Sequence, residues 1–277
     1  MVCFVIICIY AVVAILSPIV FHDWKDSYDY DNVNASPSWR HPLGTDELGR
    51  PVLPKLFLGA TTSMTVAFFA NIIAVPVGMI LGALAGYYGR FADGFIMWVY
   101  TTLAAIPGFV RLLALKFAFK DKVFFEDYWL EIRMDGMLGL VLVLAITSWI
   151  GTCRLVRAET MKLRELDYVV AARASGRSGT SILLRHIVPN LLHLGIIQFS
   201  LGFFGAIMAE VTLTFLNLGV EDAPSWGKMI NIARMDLIAG RSSQILSATA
   251  AIFFIVLAWN LLGDRLRDAL DPRLRNA

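Results

Sequence analysis

Apolar residues run almost unbroken through six stretches of the chain. They lie at approximately Val2–Phe21, Thr61–Tyr88, Asp93–Leu115, Met137–Cys153, Leu191–Leu216 and Leu246–Gly263. A helix rises about 1.5 Å per residue, and a bilayer core takes about 20 apolar residues to cross. The pattern therefore predicts an all-α integral membrane protein with six transmembrane helices. Barrel strands are short and alternate in polarity, which these runs do not. The fourth and sixth stretches are short and should extend into their flanks. No Lys or Arg precedes the first apolar core and no small-x-small site follows it, so a retained anchor is expected there, not a signal peptide.

Composition agrees. Of 277 residues, 57% are hydrophobic and 17% charged, with a mean hydropathy of +0.66. Soluble domains sit nearer about 45–50% and about 25%, and one of this length has no means of burying the excess. Cys3, Cys8 and Cys153 lie in apolar runs without CxxC or Cys/His spacing, and read as inert membrane thiols. Six spans put both termini on one side. The segments on that side, Gly89–Ala92, Arg154–Asn190 and Asp264–Ala277, carry 12 Lys/Arg and 6 Asp/Glu. The others, His22–Ala60, Lys116–Gly136 and Asn217–Ile245, carry 11 and 14 over a much greater length. The positive-inside rule assigns the basic group and both termini to the cytoplasm, against which Lys116, Lys120 and Lys122 argue.

Arg154–Asn190 is the most informative of these segments. Its helix formers are interrupted by Gly176 and Gly179, Asp167 or Ser178 can cap local helices, and Pro189 is expected to stop the second piece. Two short helices at an angle on the membrane surface are expected. Leu155, Leu163, Leu166, Val169 and Val170 should turn inward, and Arg154, Arg157, Arg173, Arg177 and Arg185 toward water or lipid headgroups. On physical grounds alone, a basic loop that only anchors topology is an equal reading.

Ala171-Ala172-Arg173-Ala174-Ser175-Gly176, followed by Ile187-Val188-Pro189-Asn190, resembles the EAA motif of ABC importer permeases. Three more stretches resemble the dipeptide/oligopeptide/nickel permease family in its C-type subunit. They are His41-Pro42-Leu43-Gly44-Thr45-Asp46-Glu47-Leu48-Gly49-Arg50, then Ala209 to Gly219 continuing through Pro224-Ser225-Trp226-Gly227, and then Gly263 to Arg273. The resemblance implies that Ala171, Ala172, Arg173, Gly176 and Pro189 form a coupling element docked on an ATP-hydrolysing subunit, where small side chains allow close approach. It also implies an outer loop, with His41, Gly44, Thr45, Asp46, Gly49 and Arg50, that meets a solute-binding protein. The implied partners are a second homologous permease, two ATP-binding subunits or domains, an extracytoplasmic solute-binding protein and membrane lipid; nucleic acid is not among them. The chain departs from the family at Val170, where the motif has an acid. It departs again at Pro51 and Pro54, which suit a rigid extended loop, and in the charged segment Lys116–Gly136.

Gly78, Gly82 and Gly86 recur every four residues, which builds a groove for a close helix neighbour within the subunit or on a partner permease. Pro76 and Pro107 should kink the second and third spans. Polar residues inside spans need partners. Glu210 either faces the pathway or is a helix-end acid hydrogen-bonded at the interface. Arg111 is expected to snorkel and His193 to be a satisfied interface residue.

No metal site is expected, because His41, Asp46 and Glu47 lack ligand spacing. The chain has no GxxxxGK[ST], HExxH or GxSxG, so no cofactor and no catalysis is expected, and ATP must be handled by another chain. The expected organisation is an anchor and external loop over residues 1–60 and a permease domain over 61–277. The expected function is a permease subunit of an ATP-driven ABC importer, most naturally for di- or oligopeptides. The alternative is a self-sufficient secondary transporter or channel, which would call for an internal repeat and midplane charges.

Overall fold

The structure, a computed structural model, describes residues 2–119, 122–124, 132–133, 136–220 and 223–270. Its helices are α1 (Val2–Val20), α2 (Val52–Tyr88), α3 (Arg90–Ala105), α4 (Gly108–Ala118), α5 (Met137–Leu163), α6 (Asp167–Ala174), α7 (Gly179–Ile182), α8 (Val188–Phe215), α9 (Trp226–Ile238) and α10 (Ser243–Leu270). A π-helical turn, Leu183–Ile187, joins α7 to α8. Val123–Phe124 and Ile132–Arg133 pair as a two-residue antiparallel ladder. The rest of the charged 116–136 segment, and Asp271-Pro272-Arg273 at the end of the last motif, lie mostly or wholly outside the described residues.

Among the described residues, five helical runs are long and apolar enough to cross a membrane: α1, α2, α5, the run Gly179–Phe215 and α10. A sixth exists if α3 and α4 count as one span, bent by 89° at their junction. Pro107 causes the break. It disfavours helical geometry in the residue before it, and Ile106 is extended at φ −87°, ψ 128°. The carbonyls left open at the end of α3 explain Arg111. It does not snorkel: its guanidinium turns back to donate to the Leu103 carbonyl (2.6 Å) and to that of Thr147 (3.2 Å).

α2 begins at Val52, well before the expected Thr61. Pro54 falls in its first turn, where a missing N–H costs nothing, so it starts a helix where an extended loop was expected. Pro76 sits inside α2 and the helical run continues through it.

Two compact units divide the described residues. The first draws on Met1–Phe69, Lys116–Val141 and Phe203–Leu262, the second on Ala70–Leu115, Leu142–Gly202 and Gly263–Ala277. Neither follows the expected division at residue 60. In the first unit Trp226 is fully buried, donates Nε1–H to the Leu56 carbonyl at 3.1 Å, and meets the Tyr10 ring edge-on. α1 is fastened by polar contacts. Tyr10 Oη donates to the Ala251 carbonyl, and Ser17 Oγ and Thr61 Oγ1 share a hydrogen bond of 2.7 Å. Many of its other large side chains, such as Phe4, Ile9 and Ile15, are exposed, as suits a helix facing lipid.

In the second unit α2 lies against α5 through its glycine row. A Cβ added at Gly78, Gly82 or Gly86 would stand 2.6–2.7 Å from the Trp149, Cys153 or Arg157 carbonyl oxygen. These contacts are to backbone, so the glycines let the two helices touch main chain to main chain. Ala83, Val156, Val169, Ile182, Leu183, Ile187 and Leu191 close the adjoining apolar core.

Candidate functional site

Two regions hold the residues expected to meet partner proteins. The first is the elbow after α5. α5 runs on to Leu163, so Arg157 lies on a helix facing α3. It pairs there with Asp93 at 2.5 and 2.7 Å and does not face water as expected. Arg164 donates to the Gly86 carbonyl at 2.9 Å and closes the end of α2.

α6 is two turns long. Val169 is fully buried and Ala172 packs beside it. Residues three apart share a face, whereas Val170 is rotated about 100° from Val169. Val170 is therefore exposed, and so are Leu166, just ahead of α6, and Leu155 on α5; all three were expected to turn inward. Ala171, Arg173 and Ala174 are exposed as well. α6 ends in a Schellman turn. Gly176, at φ +76°, donates N–H to the Arg173 carbonyl (3.1 Å), and Arg177 N–H reaches the Ala172 carbonyl (3.3 Å). Ser178 Oγ then caps α7 by accepting from Ser181 N–H at 3.4 Å, while Asp167 makes no capping bond.

Pro189 does not stop the helix. It sits in the first turn of α8, directly after the π turn in which Val188 N–H bonds the Leu183 carbonyl five residues back. The wider turn changes the hydrogen-bond register ahead of a residue with no N–H to give, so helix continues from Gly179 to Phe215.

The second region is the 22–51 segment with the starts of α2 and α10, all within the first unit. Asp46 is 2% exposed and sits at its centre. One carboxylate oxygen accepts the Leu48 and Arg50 N–H groups at 3.0 Å; the other accepts Arg50 Nε, Arg50 Nη2 and Lys55 Nζ at 3.2 Å. Lys55, 3% exposed, also donates to Gln244 Oε1 at 2.8 Å. Gln244 Nε2 passes the chain on to Asp236, which Arg241 pairs at 2.8 Å. Burial pushes the Asp46 carboxyl upward, but the Lys55 and Arg50 cations and the two N–H donors outweigh it and leave the group below its ordinary value.

Arg50 stacks over the Trp24 ring at 4.4 Å. Gly44 (φ +77°) and Gly49 (φ +76°) allow tight turns, and a Cβ on Gly49 would overlap the Asp29 carbonyl. Thr45 is buried too, holding the Ala35 N–H at 2.8 Å and the Asn32 carbonyl. Gly44, Thr45, Asp46 and Gly49, expected to greet a visiting protein, are thus spent on the inside of the loop. Glu47, Trp39 and Arg40 are among the side chains it exposes.

Glu210 lies in the same unit, on α8, and is 0% exposed. Ser63 Oγ donates to it at 2.8 Å, Thr214 Oγ1 at 2.9 Å, and Ser225 supplies a third side-chain bond. Gly219 and Gly227 crowd against Thr214 so closely that a Cβ on either would overlap it. The 209–227 motif is therefore a knot that folds the end of α8 back onto the start of α9, and within this chain Glu210 has no open face. Lys55, Gln244, Asp236 and Ser63 were not singled out by the sequence, and Thr214 and Ser225 stood there only as members of a motif. The available signal was charge in an apolar context: Lys55 opens a long apolar run and Glu210 interrupts one, and each demands partners.

The model of the family described as binding-protein-dependent transport system inner membrane component matches residues 78–276. The chain belongs to this family. Its helices are those of a membrane-spanning ABC transporter permease, and a self-sufficient transporter is not favoured. The glutathione transport system permease protein GsiD of Pectobacterium atrosepticum is 37% identical over 256 residues, covering 92% of this chain and 80% of the relative. GsiD of Escherichia coli O6:K15:H31 is 36% identical over 255 residues, covering 92% and 79%. A chain of the MetNI methionine ABC transporter, crystallised in inward-facing conformations, matches 79% of this chain and 96% of its own length. Its TM-score is 0.56 at 15% identity, a likeness of fold.

Proposed function

We propose that this permease forms half of a translocation pathway with a second, homologous permease, and that α6 is its dock for an ATPase subunit. One observation carries the reading. α6 presents Ala171 and Ala174 outward, is turned sharply by Gly176, and is packed through Val169 and Ala172 onto the core that continues into α8. Small outward side chains at Ala171 and Ala174 on a rigid two-turn helix suit close docking and movement as one body. Val170, exposed where the motif has an acid, makes this dock less polar.

In the same reading two ATP-binding subunits or domains serve the complex, the termini and α6 are cytoplasmic, and the 22–51 segment is external. A solute-binding protein approaches that external segment. Residues 1–60 act as anchor and outer loop and 61–277 as the permease proper. The substrate class is short peptides, glutathione included, which the names of the relatives support. ATP favours one state of the complex over the other and so drives alternation.

The test is crosslinking in intact cells from Ala171→Cys in a chain lacking Cys3, Cys8 and Cys153. The expected product joins this chain to a P-loop ATPase. A cysteine at Ala171 that reacts with membrane-impermeant thiol reagents from outside, and never with an ATPase, would sink the assignment.

A further inference from the structure

We infer that Asn190 is a positioning residue that locks the coupling helix α6 to the membrane-spanning helix α8; the inference rests on the docking reading above. Asn190 Nδ2 donates to the His186 carbonyl at 2.7 Å, inside the π turn, and lies 3.3 Å from Tyr168 Oη on α6. The Tyr168 ring stands 6.4 Å from the His186 ring, and Arg177 Nη1, just past the Gly176 turn, is 3.4 Å from His186 Nε2. α6, the turn after it and the π turn thus meet in a polar clasp. The clasp sits on the exposed side of the elbow, while Val169, Ile182, Leu183, Ile187 and Leu191 join the same elements on the buried side.

The two joints act differently. Apolar packing holds surfaces together but is non-directional, so it tolerates slippage. A hydrogen bond has an angle and a register. The π turn is where slippage would start, because it carries one residue more per turn than the α-helix that follows, and Pro189 brings no N–H to fix the register. Asn190, the next residue, supplies a side-chain donor to a carbonyl of that turn and ties the same nitrogen to α6. Without it, α6 can rotate by a register step of the π turn while α8 stays in place.

The experiment uses the assembled transporter in proteoliposomes, with spin labels on cysteines at Ala174 of α6 and Leu192 of α8. Distances are measured without nucleotide and with ADP-vanadate. With Asn190 present, the distance is expected to change by less than about 2 Å between the states, the scale of ordinary helix shifts. In Asn190→Ala it is expected to change by more than that and to broaden, with the melting temperature of the complex unaltered. Tyr168→Phe, which removes one exposed oxygen, should give a smaller change in the same direction, and the double variant should match Asn190→Ala. A merely structural role would lower the melting temperature and leave the distance alone. An unchanged distance in Asn190→Ala overturns the inference, as does an additive double variant; should Asn190→Ala not assemble, an unchanged distance in Tyr168→Phe does so. Ala171→Cys crosslinking separates the two readings. If the parent chain never reaches an ATPase, the dock itself is wrong. If Asn190→Ala crosslinks normally and keeps the parent distance, only Asn190 is.

Discussion

The Asp46 hub and the α6 elbow are both turns held by glycine, yet they are built on opposite principles. At the hub, φ-positive Gly44 and Gly49 fold the chain around a buried carboxylate, which is pinned to α2 by the Lys55 cation and through it to Gln244 of α10. At the elbow, Gly176 folds the chain around nothing: beyond its own chain neighbours no atom lies within 4 Å of where its Cβ would be, and the neighbouring side chains are exposed. The hub has its partners inside the subunit. The elbow, on the docking proposal, leaves its surface for a partner outside. Breaking the first should cost stability, and breaking the second should cost communication.

The largest effect is expected from Lys55→Met. It strips Asp46 of one cation and leaves Gln244 Oε1 without its donor in a buried setting. Removing one member of a buried ion pair costs about 3–5 kcal/mol. The variant should melt far earlier in detergent, and the 22–51 segment should become open to protease. A melting curve unchanged from the parent would mean that Arg50 alone satisfies Asp46.

Next in size is Gly82→Ala, a control that belongs to neither turn. The new Cβ meets the Cys153 carbonyl at 2.6 Å and the Arg157 N–H at 3.0 Å, both backbone, so α2 and α5 must part. Overpacking of this kind costs about 1–3 kcal/mol. Gly151→Ala, whose Cβ would meet nothing within 4 Å, should leave the melting temperature near the parent's or raise it.

A third test uses pH against the hub. The Asp46 carboxyl titrates lower in the folded protein than in the unfolded chain, so the unfolded state binds its proton first. Its contribution is present above the ordinary carboxylate value and is lost as pH falls through the lower, folded value. Protease protection of the 22–51 segment should hold at neutral pH and fail on acidification, and Asp46→Asn should remove that dependence.

These regions were legible in the sequence to different degrees. Spans were readable because an apolar run of bilayer length can hide its side chains from water almost nowhere but in lipid. The Gly78-Gly82-Gly86 row carries its spacing openly. The break at Pro107 was foreseen as a kink, but its 89° angle was not, because the cap that satisfies it comes from Arg111 and from α5. Asp46 was noticed for its motif and misread for its use: a motif fixes which residues recur, and only three-dimensional contacts tell whether they face in or out. Lys55, Gln244 and Asp236 are separated by as many as 189 positions along the chain, and nothing local joins them. Val170 and Leu166 were misjudged because a two-turn helix has room for a single buried pair, which a longer window averages away.

The smallest expected stability effect is the most informative about the elbow. Gly176→Ala meets no neighbour, so its cost is the backbone penalty alone, about 1–2 kcal/mol for an L-residue in the left-handed region. Gly176→Asn should cost less, because Asn tolerates that region with a local hydrogen bond. Gly176→Asp combines the backbone cost with a negative charge beside the exposed Ala171 and Ala174. It should insert and melt close to Gly176→Ala, yet hydrolyse ATP without moving solute. The measurement is solute carried per ATP hydrolysed across the three variants. If that ratio tracks melting temperature, the elbow is one more structural turn like the hub. If it falls in Gly176→Asp while Gly176→Ala stays near the parent, what matters is the surface that α6 offers, and the contrast between the two turns is functional as well as structural.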